Sequence, residues 1–328
     1  MAIKQYSLYR LRFTSFIHLG NNRDDYGTSL LSYASDSIYA ALTATLAKSG
    51  DIIPENGDLG CVVSALFPFY QKDQETPAVL FFPTPLVVER RSSNAENGKS
   101  IKRIQWVDLD YLSKVLHGED PFALKSIHEH ICGTFLSSQK CIPTFVHSEV
   151  IRRVNVSRNF EESTPFFMDR ISFSDYSGLF FLAEGDTTAI DRALPLLSSE
   201  GIGTDRSVGN GHFLFEKDSL TLNLPEDAGY GLSLSTLIPE SEQQLSTFLS
   251  GSSAAYELSR RGGWISTPPN LTSRKNCIYA FTPSSVLYGL SSGQGKIVDL
   301  APSKQFPHPV WRCGKALVLP ILINYGIN

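Results

Sequence analysis

Tyr6 to Leu19 alternates apolar and polar positions and is rich in aromatic and β-branched side chains, which predicts a half-buried first strand. A polar loop, Asn21 to Thr28, follows. Ile38, Tyr39, Leu42 and Leu46 are then spaced to line one helical face, and Ser35-Asp36-Ser37 offers the N-cap. Val62 to Pro68 and Ala78 to Pro85 predict short strands broken by prolines, while Glu89 to Arg103 is polar enough for a loop or hairpin tip. Tyr111 to Leu116 and Pro121 to Leu136 predict helices. Val146 to Arg158 alternates, Glu161 to Thr164 turns, and Phe166 to Phe173 alternates back. That is a β-hairpin, basic on one arm and aromatic on the other. An apolar strand, Leu179 to Ala183, leads through Asp186 as helix cap into a helix over Thr187 to Leu197. A glycine-rich loop, Gly201 to Gly211, and a strand, His212 to Leu224, close this half. The order fits a ferredoxin-like βαββαβ unit with a large insertion.

The Pro-Glu-Asp-Ala-Gly stretch after Leu224 marks a boundary, giving expected units of 1–225 and 226–328. The second half predicts a strand at Tyr230 to Leu237 and a helix from the N-cap Ser241 to Arg261, stopped by Gly262-Gly263. Strands follow at Trp264-Ile265, Cys277 to Phe281, Val286 to Tyr288, Ile297 to Leu300 and Ala316 to Leu322. The expected class is α+β, two βαββαβ units of similar element order.

Composition narrows the partners. At 328 residues, with 42% hydrophobic and 19% charged residues, the chain is an ordinary globular protein and not a disordered one. A net charge of −4 excludes general polyanion binding, so a nucleic-acid surface must be a local patch. Basic clusters stand at Arg90, Arg91, Lys99, Lys102 and Arg103; at Arg152, Arg153 and Arg158; at Arg260 and Arg261; at Arg274 and Lys275; and at Arg312 and Lys315. The five cysteines are odd in number and form no C-x-x-C pair, which predicts free thiols in a reducing compartment. No secretory signal is visible, and the apolar run Ala316 to Ile323 is interrupted by Pro320 and too short to span a bilayer. A soluble cytoplasmic protein is expected.

The glycine loop carries the clearest chemistry. Gly201, Gly203, Gly209 and Gly211 bracket Asp205, Arg206 and Ser207, and glycines at alternate positions let backbone amides form a concavity that fits phosphate. It is neither a Walker A motif nor a dinucleotide fingerprint, because G-x-x-x-x-G-K-[ST] is absent and the third glycine comes too late for G-x-G-x-x-G. A plain helix-to-strand turn is the simpler alternative, but one glycine would serve it. His128, His130 and Cys132 point apart at helical pitch and are expected to be structural, with no metal. No H-E-x-x-H, G-x-S-x-G or paired-carboxylate signature occurs. His18, at a strand end near Ser35 to Ser37, is the histidine placed like a general base, and a polar RNA or loop contact is favoured over that role. The hairpin has the composition of an RNA-contacting arm, with guanidiniums for phosphates and Phe166 and Phe167 for stacking. It equally suits an ordinary hairpin with a core-facing aromatic edge.

Several stretches together resemble one family. They are Tyr9-Arg10-Leu11-Arg12-Phe13 leading to His18-Leu19-Gly20, the helix start Ser35 to Leu42, Val154-Asn155-Val156-Ser157-Arg158, the Gly201-to-Phe213 loop, Lys296-Ile297-Val298-Asp299, and His308 to Ala316. The chain is similar, nearly end to end, to the fourth subunit of the type III-A CRISPR (Csm) effector complex, a RAMP-superfamily protein. The resemblance implies two ferredoxin-like (RRM-like) domains, a thumb-like hairpin, and a non-catalytic subunit without cofactor. Such a subunit holds the 5′ repeat-derived handle of the crRNA and docks on the large palm-domain (polymerase/cyclase-like) subunit. It also touches the backbone RAMP subunit of the filament, and meets target RNA only indirectly. Carried over, the RNA-binding residues are His18, Ser35, Ser37, Arg153, Asn155, Arg158, Gly201, Gly203, Arg206, Ser207, Gly209 and Gly211. The enzymatic alternative is a RAMP endoribonuclease of crRNA maturation using His18 as general acid or base. Against it, the glycine loop of processing nucleases lies near the C-terminus, whereas more than a hundred residues follow it here.

Overall fold

The computed structural model describes residues 2–20, 26–88, 98–122, 126–140, 142–155, 163–265, 267 and 272–323. The chain opens with β1 (Ala2–Phe13), α1 (Ser35–Lys48), β2 (Cys61–Val63), β3 (Phe67–Tyr70) and β4 (Val79–Pro83). An inserted stretch holds α2 (Gly98–Lys102), β5 (Trp106–Asp108), α3 (Leu109–Leu116), β6 (Ile131–Cys132) and β7 (Phe135–Leu136). Next come β8 (Val146–Asn155), β9 (Thr164–Phe173), β10 (Gly178–Gly185), α4 (Thr188–Glu200) and β11 (Phe213–Leu224). The remainder supplies β12 (Tyr230–Ser233), α5 (Glu242–Leu249), β13 (Leu258–Arg261), β14 (Ile278–Phe281), β15 (Val286–Tyr288), β16 (Ile297–Asp299), β17 (Trp311–Cys313) and β18 (Val318–Ile321). It is a mixed α+β protein with more sheet than helix.

The main sheet runs β11-β1-β10-β3-β4-β5-β7-β6, with β2 also pairing β10. β1 lies between β11 and β10 and pairs with β11 from Ala2↔Leu224 to Phe13↔Phe213. Its alternation sorts the core. Tyr9 and Leu11, with Leu179 and Phe181 of β10, face α1 and α4, where Ile38, Tyr39, Leu42, Ile190, Leu194 and Leu197 complete one cluster. Tyr6 and Leu8, with Phe180 and Leu182, face the other way onto Phe67, Leu232, Leu234, Leu319 and Ile321. Burial on both faces is why β10 has a continuous apolar run, where a half-exposed strand would alternate. The second half therefore packs beneath the first through the three-stranded sheet β15-β12-β18. β8 and β9 form a separate hairpin, tied to the body by the Ile17↔Ile171 bridge.

Several expectations are corrected. The first strand starts at Ala2 and stops at Phe13, so His18 lies in the loop beyond it. The helix expected over Pro121 to Leu136 is replaced by a 3-10 turn, Ile127–His130, and the hairpin β6–β7. Gly133, at φ 65, makes a reversal there that a helix could not contain. Ser241 caps α5 as expected, accepting from the Gln244 amide, but the helix ends at Leu249. Its expected tail, Leu258–Arg261, is instead β13, paired with β14. Ser250-Gly251-Ser252-Ser253 cannot sustain a helix, and a Cβ on Gly251 would lie 2.6 Å from the Tyr230 hydroxyl. α5 is the only helix after β11 among the described residues, so the second half departs from the expected βαββαβ order. No described helix is long and apolar enough to cross a membrane.

Candidate RNA-binding interface

The loop between α4 and β11 meets its conformational demands with glycine. All four of its glycines have positive φ, and Asp205 joins them at φ 57. A Cβ on Gly211 would sit 1.9 Å from the Ile202 carbonyl oxygen, and one on Gly203 would sit 2.6 Å from that of His18. Those glycines therefore allow close backbone approach within the protein. The amides are spent the same way: Ile202 N–H donates to Gly211 O, Gly211 N–H to Phe16 O, and Thr204 N–H to His18 O. Apart from the Gly203 amide, only the apex remains open among the described residues. There Arg206–Val208 form a 3-10 turn, and the amides of Asp205, Arg206 and Ser207 donate to nothing among the described residues. The expected cradle of glycine amides is thus corrected to an exposed apex of Arg206, Ser207 and Gly209 on a self-closed loop.

His18 links this loop to the hairpin. It is 1% exposed, and its Nδ1 lies 2.5 Å from the Asp169 carbonyl oxygen. A carbonyl only accepts, so Nδ1 carries a proton, while Nε2 is buried and without a partner among the described residues. Asp169 in turn accepts from the Ser29 amide and the Ser148 hydroxyl, fixing the hairpin base. His18 is therefore a buried node, not the surface contact expected. Farther along the hairpin, Arg153 reaches the glycine loop with an ion pair to Asp205 at 3.5 Å. Phe166 is used internally, its ring 5.0 Å from that of Tyr26, whereas Phe167 on the opposite face is 63% exposed beside Arg152 and Val154. Asn155 is paired with Thr164 at the far end of the described hairpin, and Arg158 lies outside the described residues.

The start of α1 has a different task from the one expected. Ala34 occupies the N-cap position without a side-chain cap. Ser35, 2% exposed, accepts the Thr236 amide on its hydroxyl, so it is a buried link to the second half and no surface contact. Asp36 is wholly buried and takes two bonds from the Arg261 guanidinium, at 2.9 and 2.8 Å, and one from Arg312 at 3.2 Å. Burial pushes its carboxyl up, but the Arg261 and Arg312 charges outweigh that and hold it below the usual value of 3.8. Ser37, half-buried, accepts from Arg261 at 2.9 Å. Sequence reasoning noted Arg261 and Arg312 only as basic clusters and saw Asp36 only as a cap. Nothing local announces a triad whose members lie 225 and 276 residues from Asp36. Burial raises the Tyr33 phenol, and the charges of Arg312, Arg206 and Arg261 act to lower it. Arg153 and Arg206 thus form a basic track where the hairpin meets the glycine loop, and Arg312 and Arg261 a second basic cluster at the seam.

Comparison with known proteins bears on what the track serves. Residues 226–321 match the family model described as the CRISPR Csm4 C-terminal domain. Over that segment the chain is similar to Csm4. A curated relative from Thermococcus onnurineus (strain NA1), named CRISPR system Cms protein Csm4, is 28% identical over 118 residues, which cover 35% of this chain and 37% of the relative. A chain of the Csm3–Csm4 subcomplex in the type III-A CRISPR-Cas interference complex superposes with a TM-score of 0.60 at 16% identity, covering 97% of this chain and 99% of that one. A chain of the Csm1–Csm4 cassette in complex with pppApA gives 0.59 at 16% identity, covering 98% and 100%. These superpositions show a shared fold. The segment similar to Csm4 carries Thr236, Arg261 and Arg312, while the hairpin and the glycine loop precede it.

Proposed function

We propose that this chain is a non-catalytic, RNA-holding subunit of a cytoplasmic type III CRISPR effector complex. It grips the 5′ repeat-derived handle of the crRNA and docks on the large palm-domain subunit and the backbone RAMP subunit. The observation that carries this is the convergence of the hairpin and the glycine loop. Arg153 meets Asp205 beside the open apex amides and Arg206, in a protein whose net charge is −4. Guanidiniums and free amides arranged along one edge suit a chain of phosphates better than a single nucleotide. Csm1 and Csm3 appear beside Csm4 in the similar structures, which supports the two protein partners. On this reading residues 1–225 are a ferredoxin-like unit, its strand order β11-β1-β10-β3 backed by α1 and α4, with β8–β9 as a thumb. Residues 226–328 form the second unit.

Arg206→Glu should weaken crRNA retention by the assembled complex while leaving the fold intact, because Arg206 is exposed and outside both cores. Unchanged retention in a filter-binding assay would sink the phosphate-track reading. The endoribonuclease reading is disfavoured by the burial of His18. Repeat RNA incubated with the purified chain should stay whole; specific metal-independent cutting lost in His18→Ala would replace the non-catalytic assignment.

A further inference from the structure

The seam around Asp36 holds more positive charge than its structural task requires. Arg261 and Arg312 already share the one buried carboxylate. A third cation, Lys275, sits beside them. It lies just before β14, its amide donating to Gly263 O at 2.9 Å, opposite the strand that carries Arg261. Its side chain is only partly accessible, and its ammonium has no ion pair or hydrogen bond among the described residues. Burial, Arg312 and Arg261 pull that ammonium down from 10.5 to about 8, against the opposing pull of Asp36. Arg312, 8% exposed, also keeps its Nε buried with no acceptor. Two guanidiniums therefore hold one carboxylate at the positive end of a 14-residue helix, and the Lys275 charge acts on the same group. A buried donor without an acceptor is costly unless an anion completes it, and the half-buried ammonium beside it favours the same anion.

We propose that Arg261, Lys275 and Arg312 form a phosphate site at the seam, in which one phosphate of a bound RNA strand acts as the second counter-ion beside Asp36. The source of the phosphate rests on the RNA-holding reading; the existence of the site rests on the cluster alone. Ser37, whose hydroxyl already accepts from Arg261, borders it. The consequence is linkage. The cations come from β13, β17 and the approach to β14, and Asp36 comes from α1, so RNA binding would tighten the second half against the first. An anion that binds the folded chain and not the unfolded one stabilises it in proportion to its occupancy.

The test is amine labelling of the full-length chain with acetic anhydride, followed by peptide mass spectrometry. The probes are inorganic phosphate, adenosine 5′-monophosphate and a short single-stranded handle RNA. Lys275 should label faster than the surface lysines, and RNA should protect it. Lys275→Met, which leaves the Asp36 triad whole, should bind that RNA roughly tenfold more weakly. Protection by phosphate or the mononucleotide as well as by RNA supports a site open to any phosphate, and protection by RNA alone supports one that takes the phosphodiester. RNA that binds through Arg206 while Lys275 labels at its free rate, with Lys275→Met binding as tightly as the parent, overturns the seam site and leaves the RNA-holding reading standing. Phosphate protection without any RNA binding does the reverse. Protection by none of the three probes overturns the proposal outright.

Discussion

The glycine loop and the Asp36 seam both place arginines whose charge acts on the Tyr33 phenol, yet they are built on opposite principles. The loop is local. Its eleven residues close on themselves and on Phe16 and His18, and backbone geometry decides nearly every position. The seam is assembled from distant parts of the chain, and charge decides it. Backbone demands leave a compositional trace, because only glycine satisfies them. A charge triad closed across more than two hundred residues leaves none, since each arginine alone looks like surface. The loop is therefore conspicuous and mostly self-satisfied, while the seam is inconspicuous and electrostatically incomplete.

The largest expected effect belongs to the seam. Asp36→Ala leaves two buried guanidiniums without their carboxylate and should cost about 3–5 kcal/mol, read from the urea midpoint. A cost within about 1 kcal/mol of zero would mean that the triad is not what joins the halves. In the loop, Gly211→Ala should cost about 2–4 kcal/mol, since it adds a Cβ 1.9 Å from a carbonyl oxygen to a positive φ. Gly209→Ala, at φ 91 with nothing nearby, should cost only about 1 kcal/mol. Equal losses would show that conformation alone, and not close packing, demands these glycines.

The smallest effect is in pH. The folded chain lowers Lys275 from 10.5 to about 8, so between those values the unfolded chain binds more protons, and stability should rise with pH. The buried Cys61 and Cys313 thiols, raised from 9.0 to about 12, act in the opposite direction above pH 9. The measurement is therefore the difference in melting temperature between the parent and Lys275→Met. That gap should shift in the parent's favour from pH 8 to 10, and a constant gap would contradict a desolvated ammonium. Asp36 works at the other end. Its carboxyl is held below 3.8, so its contribution is present above that pH and is lost on acidification through the folded value.

Much of the scaffold could be read in advance, because alternation along β1, β8 and β9 and the unbroken apolar run of β10 report directly on how many faces are buried. Arg153 was legible as the basic arm of a hairpin, and the structure places it on the glycine loop. The failures share one cause. The expected helix Pro121 to Leu136 and the tail of the expected helix Ser241 to Arg261 each contain glycine or serine positions where the chain reverses, and tertiary pairing with β7 and β14 overrode the apolar spacing between them. His18 and Ser35 read as polar surface contacts, whereas both side chains are buried. Their partners, Asp169 O and the Thr236 amide, lie 151 and 201 residues away.

The two-sided sheet has a consequence for how the protein comes apart. Leu232, Leu234, Leu319 and Ile321 cover the face of β1 and β10 opposite the helices. A fragment ending at residue 225 would hold its strands in register yet present Tyr6, Leu8, Phe180, Leu182 and Leu222 to water, an adhesive slab where the whole chain has an interior. Heat should melt the protein in one cooperative step, with coincident far-UV and near-UV transitions. Its halves are not beads on a string that could be swapped between relatives one at a time.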